Sequence, residues 1–290
     1  MELTQLRYFQ TAAYYQHISR AAEELNISQP ALSTMISRLE KELGVPLFDH
    51  NGRSIILNQN GQRFLQRVNH ILMEVENSKR ELQDIADEGD NSISLAVSSS
   101  QFLQGMHAFM YQHPNYKWNQ RVAENKEIAA LLNRGQIDLA VTSPGIYGEV
   151  FESTLLLRDI FKLAVHKDNP LAQRKSVRLE ELTDQRFIML LKGLPFRAQT
   201  DRIFADLGIT PHYIMECDHL LRRELINANA GVTIASQSAS FRHLFSENIR
   251  FLDIEDVHHT RDIVMVHRKG RYLNRASRQF ADFLKQKFSH

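Results

Sequence analysis

Residues 18 to 43 constrain the fold of this chain more than any other stretch, because they carry two short helical patterns separated by Asn26-Ile27-Ser28. In the second pattern, apolar residues recur three or four positions apart, at Leu32, Ile36, Leu39 and Leu43, and together with Leu25 and Ile27 they would close a small core. Ser28 is a favourable N-cap, and Pro30 is tolerated in a first helical turn. The second helix is therefore predicted to begin at Gln29, and the pair is typical of a helix-turn-helix.

The polar face of this second helix is the predicted DNA-reading surface, since a recognition helix presents its N-terminal turns to base edges. Its candidate residues are Ser28, Gln29, Pro30, Ser33, Thr34 and Arg38. The alternative is an ordinary amphipathic helix pair, because such pairs are common and the pattern is short.

Further residues decide between these readings, since residues 1 to about 65 resemble the winged helix-turn-helix of LysR-type transcriptional regulators. The matching segments are Leu6-Arg7-Tyr8-Phe9, Ala21-Ala22-Glu23-Glu24-Leu25, Ser28-Gln29-Pro30-Ala31-Leu32-Ser33, Leu39-Glu40-Lys41-Glu42-Leu43-Gly44 and Leu47-Phe48. Two positions depart from the family: His50 stands where Arg is usual, and Asn58 replaces a Thr. Whether His50 contacts phosphate is open, whereas Asn58 can cap the next helix as Thr would.

Placement of basic residues must provide the DNA affinity, because residues 1 to 68 contain seven Arg or Lys against six Asp or Glu, and the whole chain has a net charge of +1. The phosphate-facing candidates are Arg7, Arg20, Arg38, Lys41 and Arg53. For each the alternative is a solvated side chain, and Lys41 can pair with glutamates on its own helix. Arg53 lies in the turn Asn51-Gly52-Arg53-Ser54, a predicted β-hairpin wing whose tip would enter the minor groove.

The stretch from Gly61 to Glu88 is predicted to be a linker and dimerisation helix, because it contains no further Gly or Pro and has a heptad-like apolar seam. The seam comprises Phe64, Val68, Ile71, Val75, Ser78, Leu82 and Ile85, with Ser78 as a weak point. The alternative is a long helix packed on its own domain. Pairing would place two reading heads on an inverted repeat.

After the polar hinge at 87–91, apolar strands alternate with amphipathic helices, which predicts a second, α/β domain. Strands are predicted at 93–97, 136–141, 155–165, 187–191, 212–216, 232–235 and 263–267, and helices at 102–112, 197–207, 218–229 and 274–287. The sheets are expected to be largely parallel at their centres, and the strand order of 236–262 is left open.

The family resemblance extends over this domain through the segments Leu139-Ala-Val, Asp168-Asn-Pro-Leu-Ala172, Leu179-Glu-Glu-Leu182 and Gly231-Val-Thr-Ile-Ala235. It implies a two-domain α/β protein: a winged helix-turn-helix at 1–60, a linker helix at 61–88, and an effector-binding domain at 91–290. That domain would resemble type 2 periplasmic binding proteins, with lobe 1 at about 91–160 and 268–290 and lobe 2 at about 161–267.

A small-molecule effector is expected between the lobes, at strand ends and helix N-termini where free amides favour an anion. Candidate contacts are Ser98, Ser99, Ser100, Thr142 and Ser143 on one wall and Lys192, Pro195 and Arg197 on the other. Helix capping alone would also explain Ser100, and Arg197 could instead pair with Asp201. Apolar neighbours of Pro195 favour a small organic acid with a hydrocarbon or aromatic part.

Other functions have less support in the sequence. No phosphate loop, H-E-x-x-H or G-x-S-x-G motif is present, so no catalysis, cofactor or metal site is predicted. The lone Cys217 cannot form an intrachain disulfide. No apolar run approaches a membrane span and no export signal is recognised, so a cytoplasmic location is expected.

The expected protein is thus a bacterial regulator that binds promoter DNA as a homodimer or homotetramer, with RNA polymerase as a further partner. An effector would act by shifting the population between two arrangements of the paired reading heads. Two alternatives are an enzyme or solute-binding domain of the same two-lobed fold, and an architectural DNA-binding protein without an effector.

Overall fold

The computed structural model describes residues 1–51, 54–85, 91–236 and 245–288, with only the backbone given for 50, 51 and 54. These residues form two compact units. The first contains 1–90 together with 133–135 and 270–274, and the second contains the remainder. Among the described residues, no helix is long and apolar enough to span a membrane.

The first unit begins with three helices, α1 (Leu3–Tyr15), α2 (Ile18–Glu24) and α3 (Gln29–Leu43). Helix α3 starts at the predicted residue because the Ser28 hydroxyl accepts a hydrogen bond from the backbone N–H of Ala31 at 3.3 Å. Asn26 makes the break after α2 with φ +54°, a left-handed conformation that Asn tolerates. The predicted helix-turn-helix is confirmed.

The predicted wing is an antiparallel hairpin of β1 (Phe48–Asn51) and β2 (Ser54–Leu57), in which Phe48 lies opposite Leu57. Its tip residues, Gly52 and Arg53, fall outside the described residues, and so does the side chain of His50. The minor-groove role of Arg53 therefore stays a prediction.

The linker helix α4 (Gln59–Ile85) begins after Asn58, whose Oδ1 accepts a hydrogen bond from the Gly61 N–H at 2.9 Å. Asn58 thus caps the helix as predicted. Gly61 faces the wing closely: a Cβ at this position would lie 2.1 Å from the carbonyl oxygen of Leu47. Only glycine allows the helix to pass this near the strand.

Part of the predicted seam belongs to the core of the first unit. Val68 is fully buried there, and the ring of Phe64 lies 5.1 Å from that of Phe9. The alternative of packing on the helix's own domain therefore holds for Phe64 and Val68, whose apolar surface is used within one chain. Further along α4, Ile71, Leu82 and Ile85 are exposed, and Val75 is half-buried.

The second unit is built on an eight-stranded mixed sheet. Its strands are β3 (Ser92–Val97), β4 (Lys117–Val122), β5 (Leu139–Thr142), β6 (Phe151–His166), β7 (Ser176–Val177), β10 (Thr233–Ser236), β11 (Ile249–Ile254) and β12 (Thr260–Arg268). The order is β4-β3-β5-β12-β6-β11-β7, with β10 also on β6. Strands β8 (Phe187–Leu190) and β9 (Tyr213–Cys217) form a separate parallel pair.

The helices of this unit are α5 (His107–Gln112), α6 (Asn125–Asn133), α7 (Pro195–Asp206), α8 (His219–Asn227) and α9 (Arg275–Phe288). Two apolar cores divide the unit into lobes. The first lobe packs Phe280 and Leu284 of α9 against β3 and β5, whereas the second packs Phe204 of α7 against β8. The long antiparallel strands β6 and β12 run through both lobes.

Several details differ from the sequence predictions. The helix expected at 102–112 is a 3₁₀ turn at Ser100–Leu103 followed by α5, because Gly105 between them adopts φ +80°. The main sheet was expected to be largely parallel at its centre, but its central pairs β5–β12, β12–β6 and β6–β11 are antiparallel. The pairs β3–β4, β3–β5, β7–β11 and β8–β9 are parallel. The chain returns to the first lobe within β12, where Val264 pairs with Thr142, earlier than the boundary drawn at 268.

Candidate DNA interface and ligand-binding cleft

Helix α3 separates its side chains by chemistry. Leu32, Ile36 and Leu39 are buried in the core of the first unit. The six candidate reading residues, Ser28, Gln29, Pro30, Ser33, Thr34 and Arg38, are all exposed. The first turns of this helix thus offer amide, hydroxyl and guanidinium groups to an external partner.

The other described phosphate candidates of the first unit, Arg7, Arg20 and Lys41, are also exposed. The Ser28 hydroxyl oxygen accepts the capping hydrogen bond from the Ala31 N–H, and its O–H remains able to donate one. Such a surface can donate hydrogen bonds to phosphate and to base edges, the two kinds of contact that position a protein on DNA and read its sequence.

The second unit contains two adjoining cavities of about 190 Å³ and 120 Å³. Both are lined by Ser100, Gln101, Phe196, His219 and Arg261, so we treat them as one cleft. The lining comes from the 3₁₀ turn after β3, from α7, from α8 and from β12. The cleft is therefore assembled from residues far apart in the sequence.

Five of the predicted effector contacts lie at this cleft: Ser98, Ser99, Ser100, Ser143 and Pro195. The Ser98 hydroxyl accepts a hydrogen bond from the Ser143 N–H at 3.0 Å. The Ser99 hydroxyl accepts one from the Gln101 N–H at 3.4 Å, which caps the 3₁₀ turn. Ser100 is exposed. The hydroxyls of Ser98 and Ser99 thus hold the wall of the cleft in place, while the side chain of Ser100 is exposed to the cleft.

Arg197, the cation predicted to meet an effector carboxylate, does not line the cleft. It is buried, with Nε 2.6 Å from Asp201 and Nη1 2.6 Å from Glu216. These two carboxylates occupy its guanidinium, so the alternative that Arg197 pairs with Asp201 is the correct one. Lys192 is exposed and Thr142 is fully buried, and neither lines the cleft.

The cations that do line the cleft are Arg222 and Arg223 on α8 and Arg261 on β12, none of which the sequence pointed to. Arg223 is half-buried. The guanidiniums of Arg222 and Arg261 are buried and lie near the Phe196 ring, 5.5 Å and 4.9 Å from its centroid. The only available sequence signal was His219 and Arg222, one turn apart at the start of a helix that follows a strand. That pattern is too common to single them out.

Electrostatics in the cleft follow from burial. Burial lowers the pKa of Arg222 and of Arg261 to about 10 each, so both stay charged at neutral pH. Burial, with Arg222 and Arg261 nearby, lowers the pKa of His219 to about 4, so its imidazole is neutral. The cleft therefore offers three guanidiniums, a neutral imidazole, hydroxyls and an aromatic ring, a set suited to an organic anion.

Metal binding finds no support in the part of the chain that the structure describes, since no three His, Cys, Asp or Glu side chains there could hold an ion together. Cys217 is buried, and its burial raises the pKa of the thiol. A neutral, buried thiol is a poor nucleophile.

An exposed polar recognition helix with a wing, followed by a two-lobed domain with an anion-suited cleft, defines the class of ligand-responsive DNA-binding regulators. Residues 3–62 match the family model described as bacterial regulatory helix-turn-helix protein, lysR family, and residues 87–289 match the LysR substrate binding domain. The chain belongs to the LysR family of transcriptional regulators. Its members regulate transcription and respond to small-molecule effectors; they are not enzymes.

Individual relatives and solved structures of this family match the chain over its full length. The uncharacterized HTH-type transcriptional regulator YybE of Bacillus subtilis (strain 168) is 31% identical over 294 residues, covering 100% of both chains. The crystal structure of a full-length BenM mutant is 26% identical with a TM-score of 0.57, covering 100% of this chain and 96% of that one. Full-length CbnR complexed with its target DNA shares the fold at 21% identity, TM-score 0.56, and covers 100% of both chains.

Proposed function

We propose that this regulator binds an inverted repeat in promoter DNA as a homodimer or homotetramer, and that a small organic anion in the cleft changes how it engages that DNA. The observation that carries the DNA-binding part of the proposal is the exposed polar start of α3, whose apolar side is buried in the core of the first unit. A cytoplasmic location and contact with RNA polymerase complete the proposal.

Dimerisation through α4 is supported by the apolar residues that the first unit leaves exposed. Leu82 is 68% exposed and Ile85 is 74% exposed, and both continue the spacing of Ile71 and Val75. A stripe with this spacing is buried when two helices pair. We therefore assign pairing to Ile71, Val75 and Leu82.

Two paired copies would be related by a two-fold axis, so their α3 helices would meet two half-sites of an inverted repeat. An effector can bias such an assembly only if it binds one arrangement of the reading heads more tightly than another. The expected readout is a change in DNA affinity or bend when the cleft is filled.

The test is selection of bound fragments from the source organism's genomic DNA by the purified protein at near-physiological salt, followed by sequencing. We expect discrete peaks centred on imperfect inverted repeats. A featureless profile, both alone and with extracts of small molecules from the same cells, would identify a nonspecific binder and contradict the proposal.

A further inference from the structure

The charge balance of the cleft points to the class of its ligand, and this inference rests on the proposed effector role of the cleft. Three arginines line the larger cavity: Arg222, Arg223 and Arg261. Its described lining contains no Asp or Glu.

One of the three charges is already balanced. Arg261 interacts electrostatically with Asp159, a buried carboxylate that also accepts hydrogen bonds from the Ser236 hydroxyl and the Ile160 N–H. This attraction favours the charged form of Arg261 and leaves the pair close to neutral.

Arg222 and Arg223 lack such a balance. Among the described residues, neither forms an ion pair: Arg222 Nη1 donates only to the carbonyl of Ile234, at 3.3 Å, and its buried Nε has no hydrogen-bond partner. The neighbouring carboxylate of Asp218 accepts from the N–H groups of Leu220 and Leu221 and caps α8. Glu224 is exposed and does not line the cavity.

A buried guanidinium without a counter-charge is costly, because desolvation is not repaid by an ion pair. Arg261 adds to the cost for Arg222, since two like charges lie close enough to repel. Both costs fall when an anion enters. A binding site is one of the few places where a protein retains such strain.

We propose that the ligand of this cleft is a compact dianion, such as a small dicarboxylate, held by Arg222 inside the cavity and by Arg223 at its rim. Two unbalanced cations on one helix turn match two negative charges. The neutral His219, the Ser100 hydroxyl and the Gln101 amide supply further hydrogen bonds, and Phe196 packs against the carbon skeleton of the ligand.

The test compares matched anions on the full-length protein at constant ionic strength, by the midpoint of thermal unfolding: succinate against butyrate, and phthalate against benzoate. We expect at least one dianion to raise the midpoint by about 5 °C more than its monoanion partner. Equal effects within both pairs, or no effect of any of the four anions, would overturn the dianion assignment. Sequence-specific DNA binding, measured separately, would still decide the proposed function.

Two variants locate the charges. Arg223→Gln should reduce the rise in midpoint caused by the dianion to that caused by the monoanion. Arg222→Leu should abolish the rise caused by either anion. It should also raise the midpoint of the ligand-free protein, because it removes a buried unpaired charge. Arg178→Leu removes an exposed arginine of the same unit, paired with Glu180, and should change neither. An unaltered dianion effect in both cleft variants would contradict the proposal, and Arg223→Gln at the rim provides that answer even if Arg222→Leu does not fold.

Discussion

The two regions that bind anions in this account use their arginines in opposite ways. On the first unit, Arg7, Arg20 and Arg38 are exposed to solvent. In the cleft of the second unit, Arg222 and Arg261 are buried. The first arrangement suits a long polyanion that approaches from outside, and the second suits a small anion that is enclosed.

The two arrangements differ in the desolvation cost of their cations and in the anions that they select. Exposed cations remain hydrated, cost little, and attract phosphates through a field that salt screens within about 10 Å. Buried cations are costly to desolvate but interact strongly at short range, so they select a ligand by shape and charge. On this account, DNA binding through the exposed arginines should depend strongly on salt, whereas anion binding in the cleft should depend on it less.

The largest expected effect tests whether the two regions are separate structural units. Gly61→Ala places a Cβ 2.1 Å from the Leu47 carbonyl oxygen and 2.5 Å from Leu57 Cδ2, so the wing and α4 must move apart. We expect the first unit to lose about 3 kcal/mol or more of stability, and DNA binding with it. Urea unfolding followed by circular dichroism, together with a DNA-binding assay, would measure both.

The single tryptophan provides an internal control for this variant. Trp118 packs against Phe109 and Phe280 in the second unit, so its fluorescence should report an unchanged unfolding midpoint. Gln62→Ala, at the next and exposed position, should leave both units intact. Loss of both transitions together in Gly61→Ala would show that the units are not independent.

The second prediction concerns acid sensitivity of the cleft. The pKa of His219 is lowered from 6.5 to about 4, so the unfolded chain binds a proton there at a higher pH than the folded one does. Stability is therefore fully present above pH 6.5 and falls as the pH is lowered towards 4. The loss reaches about 3 kcal/mol at most.

Urea unfolding at pH 7.5 and pH 5 measures this loss, and His219→Asn should reduce it. His212→Asn, at an exposed position of the same unit, is the matched control and should behave as the wild type. Equal acid sensitivity of the wild type and the His219 variant would remove the imidazole from the buried cluster.

The smallest expected effect lies on the exposed surface. Arg38→Ala should weaken DNA binding several-fold at low salt and reduce the slope of log affinity against log salt by about 1, since one phosphate contact is lost. Fluorescence anisotropy over a salt series measures both quantities. Arg178→Ala removes an exposed charge from the second unit and should alter neither; if its slope changed equally, Arg38 would have no specific role.

The same contrast explains what the sequence could and could not predict. The start of α3, the Ser28 and Asn58 caps and the wing follow from residues within a few positions of one another, and the structure confirms them. The burial of Phe64 and Val68 was not resolved, because a heptad pattern looks alike whether a helix packs on its own domain or on a partner.

Only part of the cleft could be predicted from the sequence, and the reason is physical. The serines after β3 and β5 follow from strand ends, but Arg222 and Arg261 come from a helix and a strand that only the tertiary fold brings together. Arg197 was misplaced because its sequence position matches both a ligand contact and an ion pair with Asp201. Strand β4 was missed since its residues are mostly exposed and lack a buried apolar run.

The most direct test of the central claim, that the exposed start of α3 reads DNA sequence, is the affinity of Gln29→Ala for a selected fragment and for a scrambled one. The account predicts a loss of about 1–3 kcal/mol on the selected fragment, relaxed specificity at one base position per half-site, and unchanged affinity for the scrambled fragment. An equal loss on both fragments would contradict it.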